Sequence, residues 1–302
     1  MANAISYAQL YKAVLDLAYQ QEAKTSMLEA NPQVVKPTDD PKVVKIARMV
    51  LQGLGDYSRD GVAGAAFPKG NITLNWDPYQ LEFDRGRTFD IDAMDNVESE
   101  GLPAANVMVE FMRNYVIPEI DALRFARIAA AAGTSTSAVL TNTTMLAAFD
   151  AAMLALDNNK VPRADRLMFL TPNTLMLMKQ SQDSARKLGP SEIPNRNFLS
   201  FDGVPLIDVV QDRFYSAVET QDGTTEGEEA GGYIKGTSAK NINFIILHKP
   251  AAQAITKHTA PRIFPPAVNQ GADGWKIDYR IYHDLIVPIN KKPGIYLHTS
   301  TT

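Results

Sequence analysis

The chain has no cysteine among its 302 residues, which excludes disulfides, thiolate metal ligands and cysteine nucleophiles. Histidine is scarce. His248, His258, His283 and His298 are the whole supply, and none has the HExxH or paired spacing of a zinc site. No apolar run approaches the length of a membrane span. The opening, MANAISYAQLYKAVLDLAYQ, lacks the basic region of a secretory signal. A large charge of one sign is missing too: the formal net charge is −4. A dedicated nucleic-acid binder would carry a basic excess, although a protein that merely encloses nucleic acid need not. No glycine-lysine-serine/threonine follows the glycines at 53–64, and there is no GxSxG elbow. No catalytic residue, cofactor or metal is expected.

What is present is a chain that is 45% hydrophobic, enough for a sizeable core. It is organised around residues 81–131. A strand is expected at 83–91, carrying a charged turn at Asp84, Arg85, Gly86 and Arg87, then acids at Asp90, Asp92 and Asp95. Asp90 and Asp92 share a strand face. They could offer oxygen to a divalent cation, but the glycine and terminal glutamate of a calcium loop are missing. Pairing of these acids with Arg85, Arg87 or a neighbour's basic residues is the expectation, and a metal-dependent enzyme is a remote alternative. Next, Ala105, Val109, Met112, Val116, Ile120 and Leu123 recur at spacings of three and four, the stripe of a half-buried helix. Pro118 falls inside it and should kink or interrupt the helix. Glu119 and Asp121 beside Arg113, Arg124 and Arg127 make a charged face. Such faces are usually solvated, and at a subunit interface they fix register.

Residues 1–30 suit a helix, broken afterwards by Pro32, Pro37 and Pro41. KVVKIARMV (42–50) reads as a strand. A glycine-rich stretch follows, and then NITLNWD, whose Ile72, Leu74 and Trp76 point one way. Residues 42–92 together predict a long two-stranded excursion. An isolated hairpin of that length is marginal in water, so it must lie on something. TSTSAVLTNTT (134–144) reads as a polar link. Thr143 or Thr144 caps a helix lined by Leu146, Phe149, Met153 and Leu156. RLMFL, VPLIDVV and NFIILH read as strands, Thr171-Pro172 as a helix start, and 186–197 as a loop. The acids at Glu219, Asp222, Glu226, Glu228 and Glu229 repel one another among glycines, which predicts an exposed loop. Trp275, Ile277, Tyr279 and Ile281 alternate as a half-buried strand, and a last strand follows Pro293-Gly294.

DRGRTFDIDAMDN, VMVEFMRNYVIPEIDALRFARIA and the tail RIFPPAVNQGADGWKIDYRIYHDLIVPINKKPGIY resemble the major capsid proteins of tailed bacteriophages with the Hong Kong 97-type fold, an α+β fold. The order of parts matches: N-terminal arm (1–41), extended loop (42–92), spine helix (93–133), axial domain (134–251) and peripheral β-region (252–302). The resemblance implies self-assembly into hexamers and pentamers of an icosahedral virion shell around double-stranded DNA, put together in the host cytoplasm with a portal and without a membrane. It implies a separate scaffolding protein, favoured by Met1. A cellular nanocompartment shell of the same fold is the alternative. Expected inter-subunit contacts are Arg85, Arg87, Asp92, Asp95, Arg113, Glu119, Asp121 and Arg124, with Pro118 as the spine's hinge. Lys42, Lys45 and Lys69 lie in the loop, but no crosslink is predicted.

Overall fold

The computed structural model describes residues 23–29, 35–37, 42–57, 59, 67–94, 104–181, 189–190 and 199–301. The expected N-terminal helix, apart from its last residues, the loop at 186–197, apart from the short strand at Gly189–Pro190, and Asp95 lie outside the described residues. The chain divides into two compact units, Ala30–Glu82 and Met1–Glu29 with Phe83–Thr302.

The smaller unit is a three-stranded antiparallel sheet in the order β1 (Val35–Pro37), β2 (Val43–Leu51), β3 (Ile72–Gln80). Pro37 and Pro78 both fall on edge strands, where a missing amide donor is tolerated. Arg48 donates from Nε to Asp77 at 2.7 Å. At the far end Met49 stands opposite Leu74 and Leu51 opposite Ile72, and all four are exposed, from 52% for Leu74 to 70% for Ile72.

In the larger unit, β4 (Phe83–Asp92) does not continue the excursion. It pairs antiparallel with β14 (Gly274–Ile286) from Asp92↔Gly274 to Phe83↔His283. Asp84 to Arg87 are therefore strand, not turn. Gly86 allows this because a Cβ there would sit 2.9 Å from the Tyr279 carbonyl oxygen. The spine follows as α1 (Ala104–Phe111), a π turn (Met112–Val116) and α2 (Ile117–Ala130). The Ile117 amide bonds back five residues to Met112 O. Pro118, second in α2, has no amide to offer the carbonyl four residues before it, and its ring crowds that turn. The expected interruption thus takes the form of a π turn just ahead of the proline, a common way for a helix to absorb one extra residue. Met108, Met112, Val116 and Ile120 pack on Ile277, Tyr279 and Ile281. Leu123 is buried as well, while Val109 is half-buried.

After the spine come β5 (Thr134–Ser137), α3 (Met145–Asn158), β6 (Arg166–Leu170), α4 (Pro172–Gln180), β7 (Gly189–Pro190), β8 (Leu199–Phe201), β9 (Val204–Asp208), β10 (Val218–Gln221), β11 (Gly232–Lys235), β12 (Ile242–His248), β13 (Gln253–Phe264), β14 (Gly274–Ile286) and β15 (Ile295–Thr299). One sheet has the order β13-β14-β4 and another β5-β15-β12-β6-β9-β8-β7. Phe244, Ile245, Ile246 and Leu247 in β12 are completely buried. Successive side chains alternate between two cores: Phe244 and Ile246 meet Met145 and Phe149, while Ile245 and Leu247 meet Phe125, Phe169 and Leu297. Thr171 caps α4 by accepting from the Thr174 amide.

A further expectation fails in this unit. The TSTS segment is not a link but an edge strand, parallel to β15. Gly133 makes the approach possible, since a Cβ there would lie 2.5 Å from the Lys292 carbonyl oxygen. β15 is buried along its whole length between β5 and β12, because a strand apolar on both faces needs neighbours on both sides.

Candidate functional site

Arg85 stands opposite Ile281 and Arg87 opposite Tyr279. Directly paired residues share a face, so both arginines project to the side that packs on the spine. Arg85 donates from Nε to Glu119 Oε1 at 2.6 Å and from Nη2 to Glu119 Oε2 at 3.4 Å. The same Nη2 reaches the carbonyl oxygens of Gln221 at 2.8 Å and Gly232 at 3.0 Å. Arg87 donates to the Glu229 carbonyl oxygen at 3.1 Å. Arg85 is therefore not on an exposed loop, and its partner Glu119 belongs to the same chain.

The acid-rich segment that closes the β10–β11 hairpin is exposed, but it is well tied. Asp222 Oδ1 accepts the amides of Thr224 and Thr225 at 2.7 and 2.8 Å, and Oδ2 accepts the Thr225 hydroxyl at 2.6 Å. Those donors hold the Asp222 carboxyl well below the usual carboxylate range. Gly223, Gly227, Gly231 and Gly232 supply positive φ. Gly223 also admits Arg87, whose Nη1 would lie 2.6 Å from a Cβ there. Carbonyl oxygens of this hairpin, rather than its acids, meet the two arginines. Among the described residues no group of three or more His, Cys, Asp or Glu is placed to hold a metal ion.

The charged spine face is not solvated. Asp121 is fully buried and Arg124 is 1% exposed, and both are engaged by residues of the same chain. Asp121 accepts the Lys24 amide at 3.0 Å, the Thr25 amide at 3.0 Å and the Thr25 hydroxyl at 2.6 Å. Arg213 stands 3.7 Å away. Arg124 donates to the hydroxyls of Thr25 at 3.1 Å and Thr256 at 3.2 Å. Arg127 lies 3.3 Å from Asp284 and over the Phe83 ring. The network clamps residues 23–29 onto the spine and seats Leu28 in the core with Phe125 and Phe169. A sequence reading misses Thr25 because its partners lie 96 and 99 positions away.

Of the other expected residues, Asp92 accepts the Met94 amide at 2.8 Å rather than pairing with an arginine. Arg113 is exposed on the π turn, and Pro118 is buried. His298 sits 3.1 Å from Asn243, and burial pushes its imidazole pKa down. His283 is pushed down to about 3, by burial first and then by the charges of Arg124 and Arg85.

No protein-family model and no curated protein sequence matches the chain. Solved structures do match. The capsid of cyanophage P-SCSP1u aligns with a TM-score of 0.60 and 14% identity, over 86% of this chain and 84% of that one. The mature capsid of bacteriophage PhiM1 aligns with a TM-score of 0.60 and 12% identity, over 88% and 84%. This is the Hong Kong 97-type phage capsid fold. The holo-SrpI encapsulin complex from Synechococcus elongatus PCC 7942 also aligns, with a TM-score of 0.51 and 10% identity, over 87% and 83%.

Proposed function

We propose that this chain is the major capsid protein of a tailed bacteriophage, a non-enzymatic subunit that assembles into an icosahedral virion shell. The observation that carries this reading is the exposed end of the β2–β3 excursion. Met49, Leu51, Ile72 and Leu74 form an apolar patch on a narrow sheet. Contiguous apolar surface of this kind marks an interaction site. In a shell, each excursion lies on an adjacent copy, and repetition of one such head-to-tail contact closes rings. Hexamers and pentamers enclosing double-stranded DNA, a separate scaffolding protein and a portal complete the proposal. Arg87, Asp92, Asp95 and Arg113 are retained as contacts between copies. Electron microscopy of the full chain, alone and with its scaffolding protein, tests the reading. Closed shells support it, and small discrete particles under every condition overturn it.

The likeness to an encapsulin complex supports a second reading, a nanocompartment shell. The contents of purified shells separate the two: nucleic acid supports the phage reading, and a protein cargo supports the compartment.

A further inference from the structure

A cavity of about 410 Å³ lies within the larger unit, between the spine, the peripheral sheet and the β10–β11 hairpin. That volume falls in the range of small-molecule sites, which are mostly apolar with a few convergent polar groups. Aromatic rings form part of its wall. Phe111 meets Phe89 edge-on at 4.9 Å between ring centres and Tyr279 at 6.0 Å, and all three line the space. The charged groups around it are engaged. Arg85 is matched by Glu119, Arg87 by a carbonyl oxygen, and Asp222 by its threonines.

His283 is different. It lines the same cavity, is 1% exposed, and among the described residues has no hydrogen-bond partner on either ring nitrogen. Buried polar side chains are rarely left so. A neutral imidazole offers one N–H donor and one acceptor nitrogen, and none of the described residues answers either.

We propose that this cavity binds a neutral, planar, bicyclic aromatic molecule that lies among Phe89, Phe111 and Tyr279 and exchanges one hydrogen bond with His283. Neutrality follows from the wall: Arg85 and Arg87 are matched in number by Glu119 and Asp222, so the lining carries no net charge to offer an ionic ligand. Aromatic character follows from the three rings, whose edges and faces pair favourably with a further ring. The site goes beyond shell building and does not depend on it.

The test uses the full-length protein with 2-naphthol, which carries a hydroxyl, and naphthalene, which does not. Wild type should bind 2-naphthol saturably, one per chain, as followed by fluorescence. Ala230→Trp, on the exposed rim of the cavity, should close its mouth and weaken both molecules at least about tenfold, without touching the core. His283→Phe should weaken 2-naphthol about five- to tenfold, the worth of one hydrogen bond, and leave naphthalene unchanged. Absence of saturable 2-naphthol binding means that the cavity holds solvent only, and overturns the proposal. Binding unaffected by Ala230→Trp overturns the location. Equal effects of His283→Phe on both molecules overturn the role of His283. If His283→Phe does not fold, the Ala230→Trp comparison decides alone.

Discussion

The Asp121 carboxylate accepts the backbone amide of Thr25 at 3.0 Å, across 96 positions of the chain. Both residues are buried, and Thr25 starts the short turn at Ser26–Leu28. The base of the arm is held to the spine by a charge-assisted cap rather than by apolar contact alone.

Asp121→Asn keeps the shape of the side chain but replaces one acceptor oxygen with a donor. A hydrogen bond to a charged group contributes about 1.5–3 kcal/mol, and a buried donor left unmatched costs about as much as a lost bond. Urea unfolding of the unassembled chain should show a loss of about 2–4 kcal/mol with an unchanged slope.

Arg85 and Glu119 form a pair that is 24% and 14% exposed. Arg85→Glu sets two carboxylates against each other and removes the donor to Gln221 and Gly232. It should destabilise the subunit itself, whereas a contact made only between copies would leave the isolated chain unaffected. A double-mutant cycle with Arg85→Ala and Glu119→Ala should give a coupling of about 1 kcal/mol or more.

Leu74→Asp places a charge on the exposed apolar end of the excursion. Surface changes usually move stability by less than about 0.5 kcal/mol, so the unassembled chain should melt as the wild type does. If the excursion lies on a neighbour, shells should be missing from electron micrographs of this variant. Normal shells would remove the patch from the assembly contact.

His283 stays uncharged in the fold because its pKa is pushed down to about 3. An unfolded histidine titrates near 6.5. Between those values the unfolded chain binds a proton that the folded chain refuses, so stability is full above about pH 6.5 and falls as the pH drops, by up to about 1.4 kcal/mol per unit. His298 is shifted in the same direction. Comparing His283→Phe with wild type from pH 7 to 4 isolates the His283 share, and parallel curves would show that it has none.

Local patterns make the seven-stranded sheet legible. RLMFL and NFIILH are apolar on both faces and short, and Thr171-Pro172 states a helix start by itself. What stayed hidden depends on partners distant in sequence. TSTS becomes a strand only because Gly133 lets β15 come close. DRGR suggests a turn because of its glycine, until β14 is placed beside it. The charged spine face was misread for the same reason. Periodicity placed Asp121 and Arg124 off the main apolar stripe, yet it cannot reveal that residues 23–28 cover them. The acid-rich hairpin was judged by its side chains, while its contacts with Arg85 and Arg87 are made by backbone carbonyls, which composition does not display.

The turn at Met112–Val116 gives the spine a spare residue. Deleting Asn114 there should convert the turn to plain α-helix and leave both flanks in place, so that the chain still folds. Deleting Ala126 instead rotates everything beyond it by about 100° and drags Ile128 out of the core. The rod therefore carries its own slack at one point along its length. An unassembled subunit can lengthen or shorten there without unpicking the packing at either end, and amide exchange at Arg113–Val116 faster than in α2 would report that local play.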